Sequence, residues 1–63
     1  MKVYVIKYRS YDDYEDQGIS SVFKTYDGAV RYMVEDLGAK HLCDDRYEND
    51  DWEFIVTEEE VKE

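Results

Sequence analysis

Asp13, Glu15, Gln17 and Gly18 stand at the spacing of positions one, three, five and six of a calcium-binding loop. Such a loop closes on its ion only when the twelfth position supplies a bidentate carboxylate. That position is Lys24 here, so no specific calcium site is expected. His41 and Cys43 are the next pair with chemical potential. A zinc site needs further His or Cys ligands, and the chain has one of each. A nucleophilic Cys needs a base within reach and an electropositive setting. Asp44 and Asp45 follow Cys43 directly, the opposite of that setting. Cys43 is therefore expected to be a small buried apolar residue and His41 to be partly exposed. Paired carboxylates hydrolyse glycosides only in a cleft that gives them distinct environments, and a chain this small has little concave volume. Gly18, Gly28 and Gly38 are too far apart to form a phosphate-cradling loop. No enzyme, no metal and no cofactor is expected.

What remains is the charge itself. The formal net charge is −9 on 63 residues. Repulsion at that density opposes the compact state. It also repels phosphates, so direct binding to DNA, RNA or an anionic membrane is not expected, and a basic protein is the natural partner. The acids fall in runs. Residues 10–18 carry Asp12, Asp13, Glu15 and Asp16; residues 44–53 carry Asp44, Asp45, Glu48, Asp50, Asp51 and Glu53 against Arg46; residues 58–63 carry four more acids against Lys62. Lys2, Lys7 and Arg9 give the first nine residues the opposite sign. The candidate partner-binding residues are Asp12, Asp13, Glu15 and Asp16 with Asp44, Asp45, Glu48, Asp50 and Asp51. Tyr14 and Tyr47 lie inside the runs and would add flat, amphipathic contacts. The alternative is that the acids serve solubility alone and the two tyrosines fold back onto the sheet.

The elements that must position these residues follow from period and composition. "KVYVIKYR" (2–9) is rich in β-branched and aromatic residues and predicts a strand; "ISSVFK" (19–24) predicts a second, more polar one. From Thr25 the period changes. Ala29, Val30, Met33, Val34 and Leu37 follow helical spacing, with Thr25 as N-cap, Asp27 in the first turn and Gly38 as the C′ residue. The helix spans about 26–38. Ala39, Leu42, Cys43 and Tyr47 continue a helical spacing, so the reading lets the helix run on or restart through 43–47. "DWEFIVTEE" (51–59) predicts the last strand. The expected fold is α+β: one small ββαβ domain over 1–63, a three-stranded antiparallel sheet in the order 2-1-3 with one helix on one face.

Val, Ile, Leu and Phe make up about 22% of the chain, just above the level at which a highly charged chain stays disordered. Folding is therefore expected on a thin core. One Cys excludes an internal disulfide, which leaves pairing with a second copy, a homodimer, as the supplement such small cores use. No apolar run approaches the roughly 20 residues needed to span a bilayer, and Val3–Ile6 is too short for a signal peptide. A cytoplasmic location is expected.

"MKVYVIKY", a polar loop, "VFKTYDGAVRYM" and a final aromatic "WEFIV" strand resemble small ββαβ proteins of lytic phages of Bacillus and its relatives. The resemblance covers most of the chain and rests on layout, size and charge. It implies a cytoplasmic host-takeover protein without catalytic residues. Some such proteins inhibit host nucleic-acid-binding proteins by mimicking DNA. Others act on transcription, division or proteolysis machinery. Two functions are expected on these grounds. The first is a non-enzymatic inhibitor that holds a basic nucleic-acid-binding host protein through clustered carboxylates. The alternative is a protein-interaction adaptor using an apolar sheet face or a strand edge.

Overall fold

The structure is a computed structural model and describes residues 1–12 and 15–62. β1 (Lys2–Ser10) and β5 (Trp52–Glu60) pair antiparallel along their whole lengths, from Lys2 opposite Glu60 to Ser10 opposite Trp52. β2 (Gln17–Phe23) adds to the outer side of β1, with a bulge between Ile6 and Lys7. β4 (Arg46–Glu48) adds to β5, and β3 (Lys40–Cys43) adds to β4. The result is a five-stranded antiparallel sheet in the order β2-β1-β5-β4-β3.

The three-stranded sheet expected from the sequence is therefore incorrect. The segment read as a continued or restarted helix through 43–47 is a β-hairpin instead. Asp44 and Asp45 form its two-residue turn, and Asp44 takes a φ of 45°, a left-handed conformation that Asp tolerates better than most residues. Cys43 is exposed on the outermost strand, not buried. Both corrections have one cause. Ala39 and Tyr47 are buried, but Leu42 and Cys43 between them face water, so the apparent helical stripe was two core residues and two exposed ones.

α1 (Tyr26–Arg31) begins where Thr25 Oγ1 accepts a hydrogen bond from the Gly28 N–H at 3.0 Å. Asp27 sits in the first turn and Arg31 in the last, as the helix dipole favours. The next turn, Tyr32–Asp36, widens to π-helical bonding, in which Leu37 N–H reaches the Tyr32 carbonyl at 3.2 Å. That widening rotates the apolar face. Ala29 and Met33 stay fully buried, while Val34, expected on the same face, points to solvent. Gly38 ends the element at φ 63°, and Ala39 N–H turns back to the Met33 carbonyl.

The helix lies on the face of the sheet that carries Tyr4, Ile6 and Tyr8. Across all five strands one row of that face reads Gly18, Tyr8, Phe54, Tyr47, His41. Ile6, Ala29, Met33, Ala39, Tyr47, Phe54 and Val56 form the core, edged by Phe23, Leu37 and Trp52. Among the described residues no second layer covers the opposite face. Removing the fully buried Ile6 side chain (Ile6→Ala) should cost about 3 kcal/mol in urea denaturation. Gly38→Ala should cost about 1 kcal/mol, from backbone strain alone, because an added Cβ would meet no atom within 4 Å. A loss near zero for Gly38→Ala would contradict the left-handed end assigned to the helix.

Candidate functional site

The β1–β5 register brings two separate acidic stretches to one end of the molecule. Ser10, which precedes the first loop, lies opposite Trp52, which follows the β4–β5 turn. Tyr11 N–H donates to the Asp51 carbonyl at 3.2 Å, so the loop and the turn touch directly. Asp12, Glu15 and Asp16 thus share an end with Glu48, Asp50 and Asp51, and all but the half-buried Glu48 are exposed.

Neutral hydrogen bonds hold the backbone there. Asn49 Oδ1 accepts from Asp51 N–H at 2.9 Å and from Trp52 N–H at 2.8 Å, while its own N–H donates to the Trp52 carbonyl. Asn49 Nδ2 donates to the Leu37 carbonyl at 3.0 Å, tying the turn to the end of the helical segment. On the other side, Ser10 N–H donates to the Asp16 carbonyl, and Asp12 N–H to Ser10 Oγ. The Tyr11 hydroxyl donates to Glu48 Oε2 at 2.7 Å. That bond, with some loss of hydration and the charges of Glu48 and Glu53, pushes the Tyr11 phenol up to about 12; Arg9 opposes the shift.

The other sequence-predicted residues lie elsewhere. Asp44 and Asp45 sit at the far end of the short β4 strand, in the β3–β4 turn. The Asp45 carboxylate accepts from the Tyr26 hydroxyl at 3.0 Å, which helps to fix that turn against the start of α1. Partial burial and the same hydrogen bond push the Tyr26 phenol up to about 12 as well. Tyr47, expected among the partner contacts, is a core residue at 6% exposure and packs beside His41 with ring centroids 4.9 Å apart. It is not available to a partner. Asp13 and Tyr14 fall outside the described residues.

Sequence reasoning missed Tyr11, Asn49 and Trp52. Asn49 carried a signal, since an Asn ahead of "DDW" is a common way to cap a turn through its own side chain. Tyr11 and Trp52 carried none, because their roles depend on which strands pair.

The uncovered face has a different character. Its row at the acidic end reads Gln17, Arg9, Glu53, Glu48, Lys40 across the five strands. Glu53 is buried there between Arg9, at 2.7 Å, and Arg46, at 3.8 Å. In the next row of the face Lys7 stands between Ile19 and Ile55, and beyond it Val22, Val5 and Val3 lie beside Thr57 and Glu59; Ile19 is 62% and Val22 54% exposed. On the helix side, two depressions meet at Leu37 and Asn49. One, of about 460 Å³, lies between Tyr8, Trp52 and Phe54 with Asp36 at its border. The other, of about 550 Å³, is lined by Lys40, Glu48, Asp50 and Asp51.

Among the described residues no three His, Cys, Asp or Glu side chains are grouped to hold a metal ion, and no helix is long and apolar enough to cross a membrane. No family model, curated protein or solved structure matches the chain.

The two shifted phenols give a pH prediction. A tyrosine whose folded pKa lies above its ordinary value of about 10 contributes stability below pH 10 and loses it as pH rises toward 12. Absorbance titration at the tyrosinate band should therefore show two tyrosines ionising late, and the unfolding free energy should fall above pH 10. Tyr11→Phe should remove one late step. Retention of both late steps in that variant would contradict the Tyr11–Glu48 bond.

Proposed function

We propose that the protein is a non-enzymatic inhibitor that binds a basic nucleic-acid-binding protein, with carboxylates at one end of its sheet standing in for nucleic-acid phosphates. The observation that carries the reading is the meeting of Asp12, Glu15 and Asp16 with Glu48, Asp50 and Asp51 on a backbone fixed by Asn49 and the Tyr11–Asp51 bond. Carboxylates on an ordered frame keep their relative positions when a partner arrives, so less ordering entropy opposes binding. A groove lined by Lys and Arg that normally releases counterions from a polynucleotide would meet a comparable anionic surface. The resemblance to small acidic phage proteins supports a bacterial host target in the cytoplasm. Asp44 and Asp45, turned to another end and partly engaged by Tyr26, are secondary in this reading.

The uncovered sheet face supports a second reading. Val3, Val5 and Val22 form a short apolar strip, with Ile19 and Ile55 beside it on either side of Lys7, flanked by the free edge of β2, a surface suited to an adaptor that docks a protein by sheet packing or strand addition. A second copy of the chain, giving the homodimer expected from the thin core, would use the same strip.

Pull-down from a bacterial lysate separates the readings. The inhibitor reading expects a basic nucleic-acid-binding protein, lost as salt rises, and about tenfold weaker capture by Asp16→Asn/Asp50→Asn/Asp51→Asn at low salt. Asp44→Asn/Asp45→Asn should weaken it much less. A partner insensitive to salt and to the triple change, but lost in Val22→Lys, would replace the inhibitor reading with the adaptor.

A further inference from the structure

Resting on the inhibitor reading, we infer that the depression between Tyr8, Trp52 and Asp36 receives an arginine side chain of the basic partner. Tyr8 and Trp52 meet edge to face, with centroids 5.2 Å apart and planes at 80°. Phe54, 3% exposed, lies beneath them. The depression holds about 460 Å³, within the range of roughly 300–1,000 Å³ usual for ligand sites. Trp52 is only half-buried, although it is the largest apolar side chain in the molecule and edges the core. Aromatic rings left partly open in this way form a favourable wall for a cation.

Three features select a cation over an apolar anchor. Asp36 borders the depression, is exposed, and is paired with no cation among the described residues. The depression lies where the helical segment ends, and a helix C-terminus carries partial negative charge. No Lys or Arg lines it. An apolar group entering here would gain contact with the rings but offer Asp36 no partner, whereas a cation satisfies both. The neighbouring depression continues past Leu37 and Asn49 to Glu48, Asp50 and Asp51, three acids against the single cation Lys40 in its lining. A segment with one Arg seated on the rings would therefore lead its next basic residues onto the acidic end.

Arginine fits better than lysine. Its guanidinium is planar and weakly hydrated, so it stacks on an aromatic ring at lower desolvation cost, while an ammonium holds its water more tightly. The flat group can also present N–H donors to Asp36 while its face lies on a ring. Acidic and phosphorylated ligands are repelled by the same surroundings.

Trp52 is the only tryptophan, so emission excited in the indole band comes from this residue alone. The probes are hexa-arginine amide and hexa-lysine amide at low salt, followed by Trp52 emission and by NMR shifts of the Trp52 indole N–H and the Asp50 and Asp51 amides. Hexa-arginine should change Trp52 emission saturably and bind several-fold more tightly than hexa-lysine. Asp36→Asn should weaken hexa-arginine about fivefold, whereas Glu59→Gln, which removes the same charge from the uncovered face, should change it less than twofold. Equal effects of the two substitutions, or equal binding of the two peptides, would overturn the arginine site. Movement of the Asp50 and Asp51 amides without any response from Trp52 would overturn it while leaving the inhibitor reading intact. Silence from all the reporters would overturn both. A salt-insensitive response from Trp52 alone would keep the aromatic site and remove the inhibitor reading.

Discussion

The antiparallel pairing of β1 with β5 is the constraint on which the other elements depend. It joins the beginning and the end of the described chain over nine residue pairs, from Lys2–Glu60 to Ser10–Trp52. β2 can add only to the free side of β1, and the β3–β4 hairpin only to the free side of β5. The register also decides what each face contains. A slip of one residue would turn β5 over relative to β1, bringing Glu53 under the helix and turning Phe54 and Val56 toward water. Such contacts are all long-range, so loop closure must precede most of the stabilisation they bring. The small core then depends on a single correct pairing.

The same pairing explains how a like-charge cluster is tolerated. The backbone at the acidic end is held mainly by neutral groups: Asn49 Oδ1 and Ser10 Oγ accept from main-chain N–H groups, and the Tyr11 hydroxyl donates to Glu48. The available cations are spent differently. Arg9 and Arg46 flank the buried Glu53 on the uncovered face, where a carboxylate without partners would cost several kcal/mol. The acidic end is consequently held in its backbone, and Asp16, Asp50 and Asp51 form no salt bridge among the described residues. That combination opposes stability and suits recognition, a pattern expected where local rules are broken for function.

Much of the sheet was legible from side-chain type. β-branched and aromatic residues mark β1, β2 and β5, and Thr25 with Asp27 marks the helix start. The hairpin at 40–48 was not legible. Strands of four and three residues are too short to display alternation, and "DD" at 44–45 read as charge when it was also a turn. The π-helical turn was hidden for a related reason. Met33 and Leu37 fit both helical spacings, and only Val34 distinguishes them, by facing solvent. The site residues were legible as acids but not as a cluster, because their grouping is a property of strand register.

That last point bears on how an acidic surface is built. Asp45 and Asp50 are five residues apart in sequence, yet β4 separates them by three strand residues, roughly 10 Å or more. Asp16 and Asp51 are far apart in sequence and belong to the same end. A continuous acidic run in a disordered chain would let every carboxylate follow a partner, at the cost of ordering the chain on binding. Here the hairpin divides the longest run and assigns half of it to another part of the molecule. The half that remains gains neighbours from the first loop instead. The acidic unit is therefore the end of the sheet, with Trp52 and Asp36 beside it, and not any stretch of acidic sequence.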